Sequence, residues 1–324
     1  MHRITKKGHG VLKTCKLRFG LICGMSALFF VGCTSEADPN DQGQAPLKIY
    51  ATTGYLADTV EHIAPQAEVT TMVGPGGDPH TYQPSTQDIQ AIQDADVVLW
   101  NGLYLEAQMI ELLESQGERQ VAVAEAVPED LLLPWPETDD QGNALYDPHV
   151  WNSPDAWSIV IDEVTEKLAE QHPEAAQEYR GNAEEYQAEF ATMAAEVEEQ
   201  LASIPQPRIL ITGHDAFGYF GDTYDLEVQA TDFVSTEAAL SAGELSDLAE
   251  LIAEHEVPVI FKDNQANPQA ITSLQEAVER LGWEVEISDA ELYADSLGAE
   301  AGVDTHIGVY EHNASAVAEA LGEE

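Results

Sequence analysis

The chain has 324 residues, 44% of them hydrophobic and 7% aromatic, enough to bury the cores of two domains of about 100–200 residues each. Its 59 acidic and 13 basic side chains are unevenly placed: six of the basic ones precede the first acid, Glu36, so the body after residue 33 carries a formal charge of −52. Phosphate repels such a surface, which excludes a general nucleic-acid binder or a partner of anionic lipid faces and leaves cations as the charged ligands.

The first segment is basic through Arg18 and then apolar from Phe19 to Val31, 13 residues against the roughly 20 that span a bilayer. It reads as a secretory signal over 1–33. Its end, Phe30-Val31-Gly32-Cys33, resembles the bacterial lipoprotein box, in which a cysteine after a small residue is lipidated and becomes the mature N-terminus. Cys33 is the anchor candidate; Cys23 follows the bulky Ile22 and does not fit. Residues 34–46 are polar and rich in turn formers, as suits a flexible tether. Cys15, Cys23 and Cys33 are the only cysteines, so metal chemistry in the body must use His and carboxylates.

From residue 47 the pattern alternates. Strands are expected at Leu47–Thr52, Glu68–Val73, Val97–Trp100 and Val121–Ala124, with helices at Tyr55–Ile63, Thr86–Ala95 and Leu103–Ser115. Such alternation predicts a parallel, helix-covered sheet over 47–153. Residues 154–204 have no strand signal, are rich in Ala, Glu and Gln, and break once at His172-Pro173. Their second half, Glu174–Ser203, predicts a helix of about 45 Å, a stiff strut between two lobes. A second α/β lobe over 205–324 follows, with strands at Arg208–Thr212, Leu226–Gln229, Val257–Phe261 and Trp283–Ile287, and helices at Glu244–Glu254, Pro268–Leu281 and Asn313–Leu321.

Three of the ten histidines lie where an α/β cleft would form. His80 sits in the loop Gly74-Pro75-Gly76-Gly77-Asp78-Pro79-His80 after a strand, and His149 in Asp147-Pro148-His149, so Asp-Pro-His occurs twice. Proline stiffens the chain ahead of each imidazole. His214 follows the strand Arg208–Thr212. A fourth candidate, Asp295, lies in a loop after the last strand and by itself is one acid among 59. Three imidazoles and a carboxylate suit Zn²⁺ and tolerate Mn²⁺ or Fe²⁺. Asp263, at the end of Val257–Phe261, points to the same cleft mouth as a supporting partner or substitute ligand. His62, His172, His255, His306 and His312 read as structural or solvated.

The combination resembles the TroA-like substrate-binding lipoproteins of bacterial zinc and manganese ABC transporters. The resemblance runs from about Leu47 to the C-terminus and rests on Gly76-Gly77-Asp78-Pro79-His80, Asn101-Gly102-Leu103-Tyr104-Leu105-Glu106, Asp147-Pro148-His149-Val150-Trp151, the run from Thr212 to Phe220, and the run from Glu291 to Gly298. It implies two α/β lobes joined by a long backbone helix, with metal held by His80, His149, His214 and Asp295. It further implies a monomeric, non-enzymatic receptor, lipid-anchored to the outer face of the cytoplasmic membrane or periplasmic, that delivers Zn²⁺ or Mn²⁺ to a membrane permease. Two features differ: the family usually carries Glu where this chain has Phe261-Lys262-Asp263, and the short acidic stretch Pro128–Leu145 lacks the His-rich loop of many zinc members. The second leans toward manganese, whereas the third nitrogen at His214 leans toward zinc. Other readings are an adhesin-type lipoprotein with a structural metal and a zinc hydrolase, though the sequence has no H-E-x-x-H. The acidity itself predicts a high-salt habitat, where screening makes it tolerable.

Overall fold

The computed structural model describes residues 45–139, 141–232, 240–265 and 267–322. The expected signal segment, Cys33 and nearly all of the tether lie outside them.

The N-terminal half is built on one parallel sheet. Strands β1 (Lys48–Ala51), β2 (Glu68–Thr71), β3 (Val97–Trp100) and β4 (Gln120–Ala122) pair in the order β2-β1-β3-β4. β3 is buried along its whole length, as its unbroken apolar run requires, whereas edge strand β2 is largely exposed. Helices α1 (Gly54–Ile63) and α2 (Thr86–Asp94) begin at side-chain caps: Thr53 accepts from Leu56 N, and Ser85 and Asp88 form a reciprocal capping box. The helix expected over Leu103–Ser115 shrinks to α3 (Ile110–Glu114). Leu103 and Tyr104 hold left-handed φ of 52° and 71°, and the buried Glu106 carboxylate accepts from Thr52 Oγ1, Asn101 N and Gly102 N, which folds the first half back as turns. A hairpin that the sequence did not signal, β5 (Pro134–Thr138) with β6 (Ala144–Tyr146), fills the acidic stretch.

Two helices follow. α4 (Pro154–Gln171) opens on a Ser153 cap with Pro154 in its first turn and stops at His172. α5 (Ala176–Leu201) has 26 residues, about 39 Å at 1.5 Å each. It buries Tyr179, Ala183, Tyr186, Phe190, Met193, Val197 and Leu201, a stripe spaced by three and four, against α4, α1 and the C-terminal helix. Its opposite face carries exposed Glu178, Glu184, Glu185, Glu189, Glu196, Glu198 and Glu199.

In the C-terminal half β7 (Ile209–Thr212) pairs in parallel with β8 (Glu227–Ala230), with α6 (Gly218–Tyr224) between them. After α7 (Ala242–Glu254), β9 (Val259–Asp263) pairs with β10 (Glu286–Leu292) across α8 (Pro268–Leu281), and β7 lies beside β9. β10 begins three residues later than expected and runs on to Leu292, which brings Asp295 close behind its end. α9 (His306–Leu321) starts seven residues early because Thr305 caps it, accepting from Gly308 N. One continuous core runs from β1 through α1, α4 and α5 to α9, so both halves share apolar packing along α5. Among the described residues no helix is long and apolar enough to cross a membrane.

Candidate metal centre

The four sequence candidates converge, each delivered by a loop after a strand: His80 after β2, His149 after β6, His214 after β7 and Asp295 after β10. One ligating atom from each lies within 4.8 Å of the others. His149 Nε2 is 3.2 Å from His80 Nε2 and 3.3 Å from His214 Nε2, and the three Nε2 atoms lie 3.3–3.6 Å from Asp295 oxygens. His149, His214 and Asp295 have no accessible surface and His80 is 4% exposed. Neither Asp295 oxygen has a hydrogen-bond donor of ordinary geometry, so two buried acceptors and three imidazole nitrogens face one point. An unpaired buried carboxylate is costly, and a divalent cation among these atoms would satisfy all of them.

Each candidate ligand is positioned by its neighbours. In both Asp-Pro-His copies the aspartate accepts the backbone N–H of the histidine two positions on, at 2.8 Å for Asp78 and 2.9 Å for Asp147. Asp147 Oδ1 also accepts His149 Nδ1 at 2.6 Å, which leaves Nε2 as the free ligating nitrogen. Asn101 Nδ2 donates to Pro148 O at 2.9 Å, and Tyr219 Oη donates to Asp147 O while accepting Leu133 N. Gly213 N and His214 N both donate to Asp263 Oδ2, at 2.9 and 2.8 Å. Asp263 thus shapes the His214 loop and stands outside the cluster of four. The Ala294 carbonyl, one residue before Asp295, accepts Tyr55 Oη and Trp151 Nε1, both at 2.9 Å.

Sequence reasoning missed Asn101, Glu106, Tyr219 and also Asn264, which holds the backbone on both sides of Asp295 by accepting Ala294 N and donating to Ser296 O. The first three fall in or beside runs quoted for the resemblance, but their partners lie far off in sequence and only folding reveals them. The other histidines among the described residues are elsewhere. His306 is the notable one, buried among Tyr55, Trp157 and Phe190 with Nε2 2.8 Å from Trp151 O and held neutral by burial, its pKa lowered to about 3.

A family model described as zinc-uptake complex component A, periplasmic (ZnuA), matches residues 49–320. The chain belongs to this ZnuA family. The manganese-binding lipoprotein MntA of Bacillus subtilis (strain 168) is 32% identical to it over 312 residues, 94% of this chain and 100% of MntA. The iron-binding protein YfeA of Yersinia pestis is 28% identical over 305 residues, 93% of this chain and 94% of YfeA. The solved structure of the periplasmic zinc-binding protein TroA from Treponema pallidum is similar with a TM-score of 0.80 at 34% identity, covering 86% of this chain and 100% of TroA. The mixed α/β architecture with parallel strands and a long helix is therefore that of a known ZnuA-type fold.

Proton competition sets the sign of the pH dependence expected of this candidate site, because metal ligation needs neutral imidazoles. Burial pulls His149 down, but Asp147 and Asp295 outweigh it and raise its pKa to about 10. Burial opposes charge on His214 too, and Asp295 again wins and raises it. Burial dominates at His80, lowering it to about 3, while His214 and His149 overcome burial at Asp295 and hold it well below the usual carboxylate range. Metal entry at pH 7 is therefore expected to displace protons. Apparent affinity should climb roughly tenfold per pH unit for each proton displaced between about pH 6 and 9. Calorimetric titration in buffers of different ionisation heat counts these protons; none released at pH 7 would mean that His149 is already neutral.

Proposed function

We propose that this chain is the extracytoplasmic solute-binding component of an ABC-type metal importer, capturing a divalent transition metal with His80, His149, His214 and Asp295 and handing it to a membrane permease. The observation that carries this reading is the set of four buried ligating atoms within 4.8 Å, drawn from loops of both halves. Relatives named for manganese, zinc and iron support the cargo class. Three nitrogens with a carboxylate suit four-coordinate Zn²⁺, and a carboxylate binding through both oxygens extends the set to Mn²⁺ or Fe²⁺. Four protein ligands leave little room for an activated water, which fits a receptor that loads and releases better than a hydrolase.

The decisive experiment is elemental analysis of protein purified from its native host, coupled with metal uptake by cells lacking it. Recombinant loading follows the Irving–Williams order and misleads. Protein without bound transition metal, from cells with unimpaired uptake, would end this reading.

The mature protein acts as a monomer tethered through lipidated Cys33 to the outer face of the cytoplasmic membrane, in a high-salt habitat. Cys33→Ser is expected to move it from the membrane to the aqueous fraction, as fractionation and blotting would record; a variant that stays membrane-bound refutes the anchor.

A further inference from the structure

The loop carrying His80 is the outward part of the site. Gly74, Pro75 and Gly76 are exposed, whereas the other three ligands have no accessible surface. Gly76 takes a left-handed φ of 72°, and Gly77 N turns back onto Gly74 O at 3.0 Å. An open cleft of about 200 Å³ beside the loop is lined in part by Gly54, Gly74, Pro75, Leu297 and Gly298, so the Gly74–Pro75 end of the loop is unpacked on that side.

Two hydrogen bonds bridge this loop to the ends of β9 and β10. Gly76 N donates to Ser296 Oγ at 2.9 Å, and Gln265 Nε2 donates to Gly77 O at 2.7 Å. Ser296 directly follows Asp295 and is itself inaccessible. Asn264 fixes both sides of that aspartate: its Oδ1 accepts Ala294 N at 2.9 Å, and its Nδ2 donates to Ser296 O at 3.0 Å and Ser296 Oγ at 2.8 Å. The hydroxyl that receives Gly76 is therefore held rigidly to the backbone that presents the carboxylate.

We propose that Ser296 and Gln265 form a latch that holds the Gly74–His80 loop shut over the bound metal, and that unlatching sets the rate of metal release. The proposal rests on the metal-carrier reading above. Because Ser296 is adjacent to Asp295 and clamped with it, a shift of the carboxylate moves the latch acceptor away from Gly76 and frees the loop bearing His80. A latch of neutral hydrogen bonds also opens without separating an ion pair, so a closed site remains able to discharge its cargo.

Rates of zinc loss test this. Full-length mature protein loaded with Zn²⁺ is mixed in a stopped-flow instrument with excess of a colorimetric zinc chelator, and association is followed separately. A neutral hydrogen bond of about average net strength corresponds to roughly a fivefold rate effect. Ser296→Ala and Gln265→Ala are each expected to speed release about fivefold and the double variant roughly twenty-five-fold, with association changed less than about twofold. Ser296→Thr, which keeps the hydroxyl, should release at close to the original rate. Arg180→Ala, which removes a surface pair with Glu166 remote from the site, should leave release unchanged. If Ser296→Ala does not fold, half-buried Gln265 decides through its own variant. A double variant that loads zinc and releases it at the original rate overturns the latch and leaves the carrier reading intact. Failure of the unsubstituted protein to take up Zn²⁺, Mn²⁺ or Fe²⁺ overturns the carrier reading itself.

Discussion

Asp295→Ala is expected to weaken metal binding by about 100-fold or more, because it removes the one carboxylate among the four proposed ligands and leaves three imidazoles facing each other in a buried space. Breaking a buried charge pair by deleting one partner costs about 3–5 kcal/mol, and each 1.4 kcal/mol is a factor of ten. Asp263→Ala is the informative contrast. Asp263 accepts the Gly213 and His214 N–H groups and is not among the converging atoms, so its loss disturbs the aim of one imidazole and should cost about 10-fold to 100-fold. Competition titrations against a chelator of known affinity measure both. Unchanged affinity in Asp295→Ala together with abolished binding in Asp263→Ala would reverse the assignment of the carboxylate.

The second large effect is that of salt on the metal-free protein, whose melting temperature is expected to rise by roughly 10 °C or more between 0.01 and 1 M KCl, equivalent to about 3–5 kcal/mol for a chain of this size. Most acids among the described residues lie on exposed faces, as along α5, and the few basic side chains neutralise little. Arg180 pairs with Glu166 at 2.7 Å, but Arg119, Lys167 and Arg208 donate to main-chain carbonyls. Repulsion is strongest in the folded state, where the charges are closest, and the Debye length falls from about 30 Å to about 3 Å over this range. Metal should add a further increment at every salt concentration, since it binds the folded site and cancels charge there. Thermal melts of metal-free and loaded protein across the series provide the check; a flat metal-free response would separate the acidity from any adaptation to salt.

Local signals carried much of the fold. Strand β3 and helix α8 lie at the bounds the sequence indicated, because an unbroken apolar run and an Asn267-Pro268 start with a Gly282 stop are local instructions. Where a distant partner decides, the reading failed. The Leu103–Ser115 pattern has good helical periodicity, yet buried Glu106 draws on Thr52 and Asn101 and the first half turns back. The β5–β6 hairpin was illegible because its Pro134-Trp135-Pro136 start reads as loop. At the site, the three histidines stood out through their positions after strands, whereas Asp295 was one acid among many until the resemblance singled it out. Asn264 gave no signal at all, since its worth lies in three hydrogen bonds across a gap of about thirty residues.

The four converging side chains are drawn from positions 80, 149, 214 and 295, and the two neighbouring imidazole pairs are separated by 69 and 65 residues of chain. No short fragment contains two of these four side chains, so this site does not exist until both halves have closed their long loops, the slowest kind of contact to form. On the carrier reading proposed above, a chain that has not yet folded lacks this four-atom site, so tight loading follows folding and an occupied site marks a finished fold.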